Sequence, residues 1–392
     1  MVNRNLFAVL AISIFCFSCS NTATSPNISQ NISQPQQLLI DDVFPTYQEH
    51  KLVEPKDIFA LDAEMIEFVD TKLSRIDDPY LRAKALLTKL FNDSASTLRY
   101  NKGANLTAID AYHQQTANCL SLTILAYTLA DEANLVVKFQ QVEIPEYWVR
   151  EGSYNMLTGH VNLRVTGDKK SPFIVIWGNN DLLIDFDPYA SRHYFTKKVI
   201  SKERVTAMFY NNRGAQAIVN NEYDLAYAYF KKATQVDAEY SSAWANLGLL
   251  YKSVGHYSVA ESAYKFAINL NQKNHNAWNN LAILYKSTEQ MSQANAIYEY
   301  LDEVRLGNPF YHGLLGEEAF YRGDFEQSIV HYNKAKRMNP LEHEFYFGLA
   351  KAYYKLGKFK KSQSYLVKAK HHAPFKDIED KYQTKLSLLT RL

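Results

Sequence analysis

Residues 241–274, SSAWANLGLLYKSVGHYSVAESAYKFAINLNQKN, decide the fold of the C-terminal half of this 392-residue chain. Apolar and small residues recur in this stretch at the three- and four-residue spacing of helices. Residues 275–308 repeat the same pattern over the same length, and looser copies lie on both sides. A period of about 34 residues predicts helix–turn–helix units. Each unit has an apolar face that it cannot bury alone, so neighbouring units must stack.

The repeated positions carry a recognisable signature. In residues 241–274 these positions are Trp244, Leu247, Gly248, Tyr251, Ala260, Tyr264 and Ala267, and the next unit begins its copy with Trp278 and Leu281. The pattern resembles the tetratricopeptide repeat. The resemblance implies five consecutive units over residues 207–376 that form an all-α superhelix. Residues 377–392 are predicted to form a capping helix.

Family resemblance also points to a binding groove on the first helix of each unit. Asn212, Asn246 and Asn280 each occupy the sixth position of their unit. In peptide-binding tetratricopeptide proteins, an asparagine there contacts the ligand backbone. The resemblance therefore implies a protein or peptide partner held by these three residues. The alternative is that asparagine is common at this position whatever the ligand.

The first residues have the pattern of an export signal. Arg4 precedes an apolar run from Leu6 to Phe17, and Ser18 and Cys19 follow it. A cysteine directly after such a run is similar to a bacterial lipoprotein signal, with Cys19 as the lipidated residue. We therefore expect a signal peptide at 1–18, a flexible tether at 19–38 and a periplasm-facing outer-membrane lipoprotein of the bacterial envelope. Ordinary signal-peptide cleavage is the alternative.

Composition and cysteine count narrow the possible functions. The formal net charge is +2, so no strong positive field is present to attract nucleic acid. The chain has three cysteines, Cys16, Cys19 and Cys119. Cleavage would remove the first and a lipid would block the second, which leaves Cys119 without an intrachain disulfide partner. A lone cysteine in an exported protein is either an inert buried residue or a reactive thiol.

Residues 39–201 contain no repeat and mix helical with strand patterns. Residues 60–90 and 107–113 have helical periodicity, and an apolar run from Leu122 to Ala133 predicts a buried helix with Cys119 at its N-terminus. Four strands are then predicted, at Leu135–Val142, His160–Val165, Phe173–Trp177 and Leu182–Asp187. The fold class expected for this region is α+β, with helices packed on a small antiparallel sheet.

The positions of three polar side chains predict nucleophilic chemistry. A cysteine at a helix N-terminus meets the positive end of the helix dipole, which favours the thiolate form. His160 starts a strand that alternates, so that His160, Asn162 and Arg164 share the face opposite to Val161, Leu163 and Val165. In the last strand Asp185 and Asp187 share one face, and either carboxylate is placed to orient an imidazole.

The order of these residues resembles the transglutaminase-like superfamily, which is related to papain-type cysteine proteases. The matching pieces are Asn118-Cys119-Leu120-Ser121, His160-Val161-Asn162 and Asp187-Pro188. The resemblance implies that Cys119 is the nucleophile, His160 the general base and acid, and Asp187 the orienting carboxylate, with Asp185 as the alternative. The backbone N–H of Cys119 is the suspected oxyanion donor. Residues 145–159 are expected to form a loop over the cleft that selects substrate, or a surface loop whose aromatic residues simply pack.

Two functions follow from these patterns. The first is a cysteine hydrolase or acyl transferase of the envelope that acts on a protein or peptide held by the repeats. The second is a catalytically silent scaffold that binds a partner protein in the groove. We predict no cofactor and no metal site, because Cys119, His160 and Asp187 lack the clustered spacing of metal ligands.

Overall fold

The computed structural model describes residues 25–27, 35–92, 99–101, 103–151, 154–168, 182–186, 195–373 and 376–389. After short 3-10 turns at Pro35–Leu38, Asp41–Val43 and Tyr47–Glu49, five helices and six strands make up the first half of the described chain. In chain order these elements are α1 Pro55–Ile58, α2 Ala63–Phe68, α3 Pro79–Asn92, β1 Arg99–Tyr100, α4 Ala108–Gln114, β2 Thr116–Ala117, α5 Cys119–Glu132, β3 Leu135–Glu151, β4 Tyr154–Asp168, β5 Leu182–Ile184 and β6 Lys197–Ile200.

The main sheet has four described strands in the order β5-β4-β3-β6, and all of its neighbouring strands are antiparallel. Helix α5 packs on this sheet, since ten of its residues are buried and Thr123 Oγ1 donates to the carbonyl of Val161 at 3.0 Å. The expected small antiparallel sheet with packed helices is therefore present. The strand predicted at 173–177 lies outside the described residues.

Strands β3 and β4 are much longer than the sequence predicts. Between Val142 and Tyr147 the register shifts, because the partners His160 and Thr158 are only two residues apart. Pairing then continues out to Glu151 and Tyr154. Residues 145–159, which we expected to be a loop, are therefore mostly a paired β-hairpin. We call the described residues of this hairpin, 143–151 and 154–158, the arm.

The second half of the chain is helical. Its elements are α6 Lys202–Val219, α7 Tyr223–Val236, α8 Ser241–Ser253, α9 Tyr257–Leu270, α10 His275–Ser287, α11 Met291–Arg305, α12 Pro309–Tyr321, α13 Phe325–Met338, α14 His343–Lys355, α15 Phe359–His371 and α16 Lys376–Leu389. Within the described residues these are five successive helix pairs and a final single helix. No helix in the described ranges combines the length and the apolarity that a membrane span needs.

Ring and glycine contacts explain how each pair closes. A Cβ atom added to Gly248 would lie 2.7 Å from the ring of Tyr264, so the two helices approach as closely as a glycine allows. The indole N–H of Trp244 donates to the carbonyl of Ala238 at 2.8 Å, six residues earlier. Trp278 makes the matching bond in the next unit, to Gln272 at 3.0 Å. The repeated sequence therefore repeats its contacts as well.

The first helix pair is fused to the α+β region. Buried Val205 and Phe209 of α6 belong to the same hydrophobic core as Leu122 and Leu163. Asn105 donates from Nδ2 to the carbonyl of Phe209 at 2.9 Å. The repeats therefore begin as a continuation of the α+β core.

The segment before α1 lies on the repeats. Phe44 is 2% exposed and stacks on Tyr227, with ring centroids 4.6 Å apart. Asp41 accepts hydrogen bonds from Tyr227 at 2.7 Å and from Lys231 at 2.6 Å. Leu38, the last residue of the predicted tether, is also 2% exposed and accepts a bond from Tyr251. Leu38, at the end of the segment that we predicted to be a flexible tether, is therefore docked on the repeats.

Substitution of Gly248 by alanine tests the close packing of a helix pair. The added methyl group collides with the Tyr264 ring, so we expect the free energy of unfolding to fall by about 1–3 kcal/mol. The higher helix propensity of alanine offsets only part of this loss. Urea denaturation followed by circular dichroism measures this change. Gly307→Ala is the matched control, since an added Cβ there meets nothing within 4 Å. Equal stability of the two variants would contradict the packing described here.

Candidate functional site

Cys119 is the first residue of α5 and is held there by a well-built helix start. Asn118 caps the helix, because its side chain accepts a hydrogen bond from the Ser121 N–H at 2.9 Å. The Asn118 N–H donates in turn to the carbonyl of Ala104 at 3.0 Å, and Ser121 Oγ accepts from the Leu106 N–H. Cys119 itself is half-buried. Its sulfur therefore lies at a fixed helix N-terminus with access from one side.

His160 lies on β4 and is oriented by a carboxylate. Its Nε2 is 2.7 Å from Asp185 Oδ1, and the two side chains are only 1% and 4% exposed. Asn162 Nδ2 donates to the other carboxylate oxygen of Asp185 at 2.8 Å. Cys119 also hydrogen-bonds to the imidazole. Since Nε2 faces Asp185, Nδ1 is the nitrogen left for the thiol.

The environment favours a protonated His160. Burial alone would lower the pKa of His160, because it disfavours the charged ring. The hydrogen bond to Asp185, followed by that to Cys119, outweighs burial and raises the pKa of His160 to about 10. A protonated imidazole beside a sulfur atom is the arrangement that thiolate nucleophiles use in proteins.

The structure brings together two of the residues that the sequence analysis predicted to form a site, Cys119 and His160. The carboxylate found on His160 is Asp185, which was the alternative, while Asp187 lies outside the described residues and its role stays a prediction. Of the three residues predicted to share one face of this strand, Arg164 is exposed, whereas His160 and Asn162 are buried.

A cavity of about 1140 Å³ joins this site to the repeats. Cys119 and His160 of the α+β region line it, and so do the asparagines predicted to bind a partner, Asn212, Asn246 and Asn280. Its volume exceeds the ~300–1,000 Å³ of pockets for drug-sized ligands. The thiol therefore faces the same space as the helices of the first three repeats.

One groove asparagine is held in place. Asn246 donates from Nδ2 to Oδ1 of Asn211 at 2.8 Å, and Asn211 is 6% exposed. Asn246 itself is half-buried. This bond uses one of the two amide hydrogens of Asn246, so its carbonyl oxygen can accept an N–H from a ligand and its second N–H can donate to a ligand carbonyl.

The arm lines the cavity between the two halves. Glu146 of the arm makes two hydrogen bonds to Arg305, at 2.7 and 3.2 Å, and lies 3.5 Å from His275 Nδ1. Burial would raise the pKa of Glu146, but bonds to His275 and Arg305 outweigh it and lower the pKa. Tyr147 donates to Glu344 at 2.7 Å.

Sequence reasoning did not identify Asn162, Glu146 or Arg305 as site residues. Asn162 was detectable, because strand alternation puts it on the face of His160 two residues away. Glu146 and Arg305 are 159 residues apart, and no local pattern links them.

Two segments of the chain match family models. Residues 241–274 match a tetratricopeptide repeat model, and residues 316–357 match a second model described as a TPR repeat. Together with the helix pairs, these matches establish a tetratricopeptide superhelix. A search of the curated proteins found no match.

Solved structures that resemble this chain include several repeat proteins. YrrB, titled a TPR protein with an unusual peptide-binding site, is 17% identical and covers 45% of this chain and 92% of its own, with a TM-score of 0.26. A thermophilic TPR protein of Thermus thermophilus is 17% identical over 46% of this chain and 98% of its own, at 0.32. The pilF protein of Pseudomonas aeruginosa is 15% identical over 48% and 94%, at 0.30.

The raised pKa of His160 predicts a dependence of stability on pH. Between about pH 6.5 and 10 the folded protein keeps the imidazole proton that the unfolded chain loses, so stability falls as the pH rises through this window. His160→Gln removes this contribution, so the free energy of unfolding of the variant should fall less than that of the parent protein over the same pH range. Urea denaturation at several pH values between 6 and 10 measures it. His50→Gln, at an exposed histidine, should decline like the parent protein, and a His160→Gln decline equal to the parent's contradicts the assignment.

Proposed function

We propose that this protein binds an extended segment of another polypeptide in the cavity between its repeats and its α+β region. The observation that carries the proposal is the lining of that cavity by Asn212, Asn246 and Asn280, which lie on the first helices of three successive repeats. Amide side chains at a regular spacing suit the regular N–H and C=O groups of an extended backbone. The tetratricopeptide assignment supports a protein or peptide partner.

Selection from a library of linear peptides on immobilised Cys119→Ser protein tests this function. We expect peptides that bind the protein, and about five- to tenfold weaker binding for each of Asn246→Ala and Asn280→Ala, because each loses a hydrogen bond worth ~1 kcal/mol. Fluorescence polarisation measures the affinities. Asn295→Ala, at an exposed asparagine outside the cavity, is the control and should change nothing. Failure to select any peptide, or equal binding by all variants, refutes the proposal.

A second function, cysteine-dependent acyl hydrolysis or transfer on the bound chain, is favoured by one observation. Cys119, His160 and Asp185 form a connected set that opens into the cavity where the partner would lie. The resemblance to the transglutaminase-like superfamily supports the same chemistry. The finer assignment to that superfamily is part of this proposal.

In the proposed reaction, Cys119 supplies the nucleophile and His160 supplies and accepts the proton. The Cys119 thiolate attacks an amide carbonyl, and the C–N bond breaks as the amine leaves with the proton of His160. A thioester and a neutral imidazole remain. Water then attacks the thioester and gives a proton to His160 while the C–S bond breaks, which restores the starting pair. An amine in place of water gives acyl transfer. Asp185 holds the imidazole throughout, and the first N–H groups of α5 are candidates to stabilise the oxyanion.

Alkylation of Cys119 by iodoacetamide at pH 7 tests the chemical competence of the site. We expect His160→Gln to slow the reaction about tenfold or more, because the cation beside the sulfur is lost. Asp185→Asn should slow it to a smaller extent, because Asp185 holds the imidazole, and the rate for Asp187→Asn tests the role predicted for that carboxylate from the sequence. Mass spectrometry of the modified protein follows the rate. An alkylation rate that His160→Gln leaves unchanged rules out the enzymatic reading while leaving peptide binding intact.

The location of the protein is a separate proposal. We infer from the sequence around Cys19 that the chain is exported and lipidated, which would put the repeats in the periplasm; Cys19 lies outside the described residues. Cys19→Ser should abolish labelling by a radioactive fatty acid and release the protein from the membrane fraction. Cys16→Ser is the matched control and should keep both the label and the membrane association. A protein that carries no lipid label before mutation refutes the proposal.

A further inference from the structure

The arm connects the α+β region to the repeats a second time, far from the point where the chain itself joins them. The covalent connection leads from β6 into α6, in the first repeat. The arm instead reaches the third, fourth and fifth repeats, through contacts with His275, Arg305, Phe310 and Glu344. Arm residues such as Glu146 and first-repeat residues such as Asn212 both line the cavity that Cys119 and Asn246 also line.

A buried charge pair holds the arm to the third repeat. Arg305 is only 6% exposed, and its guanidinium makes the two bonds to Glu146 described above. Asn308 adds a hydrogen bond to the carbonyl of Glu146 at 2.8 Å. A folded protein in which Arg305 stays buried without its carboxylate is strongly destabilised. The pair therefore favours the one position of the arm in which Glu146 meets Arg305.

Aromatic contacts extend the attachment to the fourth repeat. Tyr147 packs edge-on against Phe310 with ring centroids 5.0 Å apart, and Trp148 lies 6.2 Å from Tyr311. The guanidinium of Arg305 is 5.1 Å above the Trp148 ring. Charge, hydrogen-bond and ring contacts thus fall on three consecutive residues, Glu146, Tyr147 and Trp148.

We propose that the arm is a clasp that closes the first part of the repeat groove into a passage, so that the partner enters as a single extended chain, led by its end. The inference rests on the proposed binding function and adds the class of partner. An open groove accepts an internal loop or a folded surface. A groove that the α+β region joins at the first repeat and the arm spans at the third to fifth repeats admits a chain that can be threaded. Cys119 lies on the wall of this passage.

Size-selective labelling of Cys119 tests the clasp without any partner. The protein carries Cys16→Ser and Cys19→Ser, so that Cys119 is the only thiol. The probes are N-ethylmaleimide and a maleimide attached to a long polyethylene glycol chain. The reference is an exposed thiol, Glu326→Cys in the Cys119→Ser background. For each thiol, the rate with the polymer reagent is divided by the rate with N-ethylmaleimide. We expect this ratio to be smaller at Cys119 than at the reference thiol by about tenfold or more.

Two variants open the clasp by different means. Tyr147→Ala with Trp148→Ala removes the ring contacts, and Glu146→Ala with Arg305→Ala removes both members of the charge pair, so that no buried charge is left alone. Either variant should bring the polymer rate at Cys119 toward that of the reference thiol. Tyr257→Ala, at an exposed tyrosine away from the arm, is the control and should not.

The outcomes separate the clasp from the binding function. Equal size selectivity at Cys119 and at the reference thiol, no response to either clasp variant, or no reaction of Cys119 even with N-ethylmaleimide overturns the clasp. Peptide selection can fail while the labelling result stands, in which case only the binding function is lost. Where a peptide is selected, its head-to-tail cyclised form should bind the parent protein at least about tenfold more weakly than the linear form, and the clasp variants should bind both alike.

Discussion

Arg305 sets the strictest constraint on how the two halves of the molecule meet. A guanidinium that is 6% exposed must find a carboxylate, and the one that it finds, on Glu146, comes from 159 residues earlier in the chain. Buried ion pairs contribute little net stability compared with apolar packing, but they tolerate few alternative arrangements. The main effect of the pair is therefore to fix the position at which the arm contacts the repeats. The cavity behind the arm depends on that placement.

The remaining site elements are fixed by local rules. Asn118 caps α5 and places Cys119 at its first position, and strand pairing of β4 with β5 brings Asp185 opposite the part of β4 that carries His160 and Asn162. The helix and the strands belong to one core that also includes Phe209 of the first repeat. A shift of the third to fifth repeats, which contribute no residue to this core, would change the cavity without changing the Cys119–His160 contact. Binding and chemistry are in this sense separable properties of the molecule.

Sequence reasoning succeeded where the determinants are local and repeated. Residues such as Trp244 and Trp278 recur at a fixed period and make the same contact in each unit, so the superhelix was predictable. The position of Cys119 was predictable because a helix start is marked in the sequence, and the face of His160 was predictable from strand alternation, although β4 begins at Tyr154 and not at His160. The contact of His160 with Asp185 was not predictable, because Asp185 and Asp187 share a face in the sequence pattern and the register between β5 and β4 brings Asp185 to His160. The arm was mistaken for a loop because Pro145 and Gly159 lie at the register shift, where they resemble the ends of a turn.

The docked N-terminal segment has a consequence for the order of assembly. The carbonyl of Leu38 accepts a hydrogen bond from Tyr251, 213 residues later in the chain. At synthesis rates of about 5–20 residues per second, roughly 10–40 s pass between the appearance of the two partners. Leu38 and Phe44, both 2% exposed in the folded protein, stay uncovered by the repeats for all of that time. These two residues are therefore buried long after they are made, and contacts of such long range are the slow steps of folding.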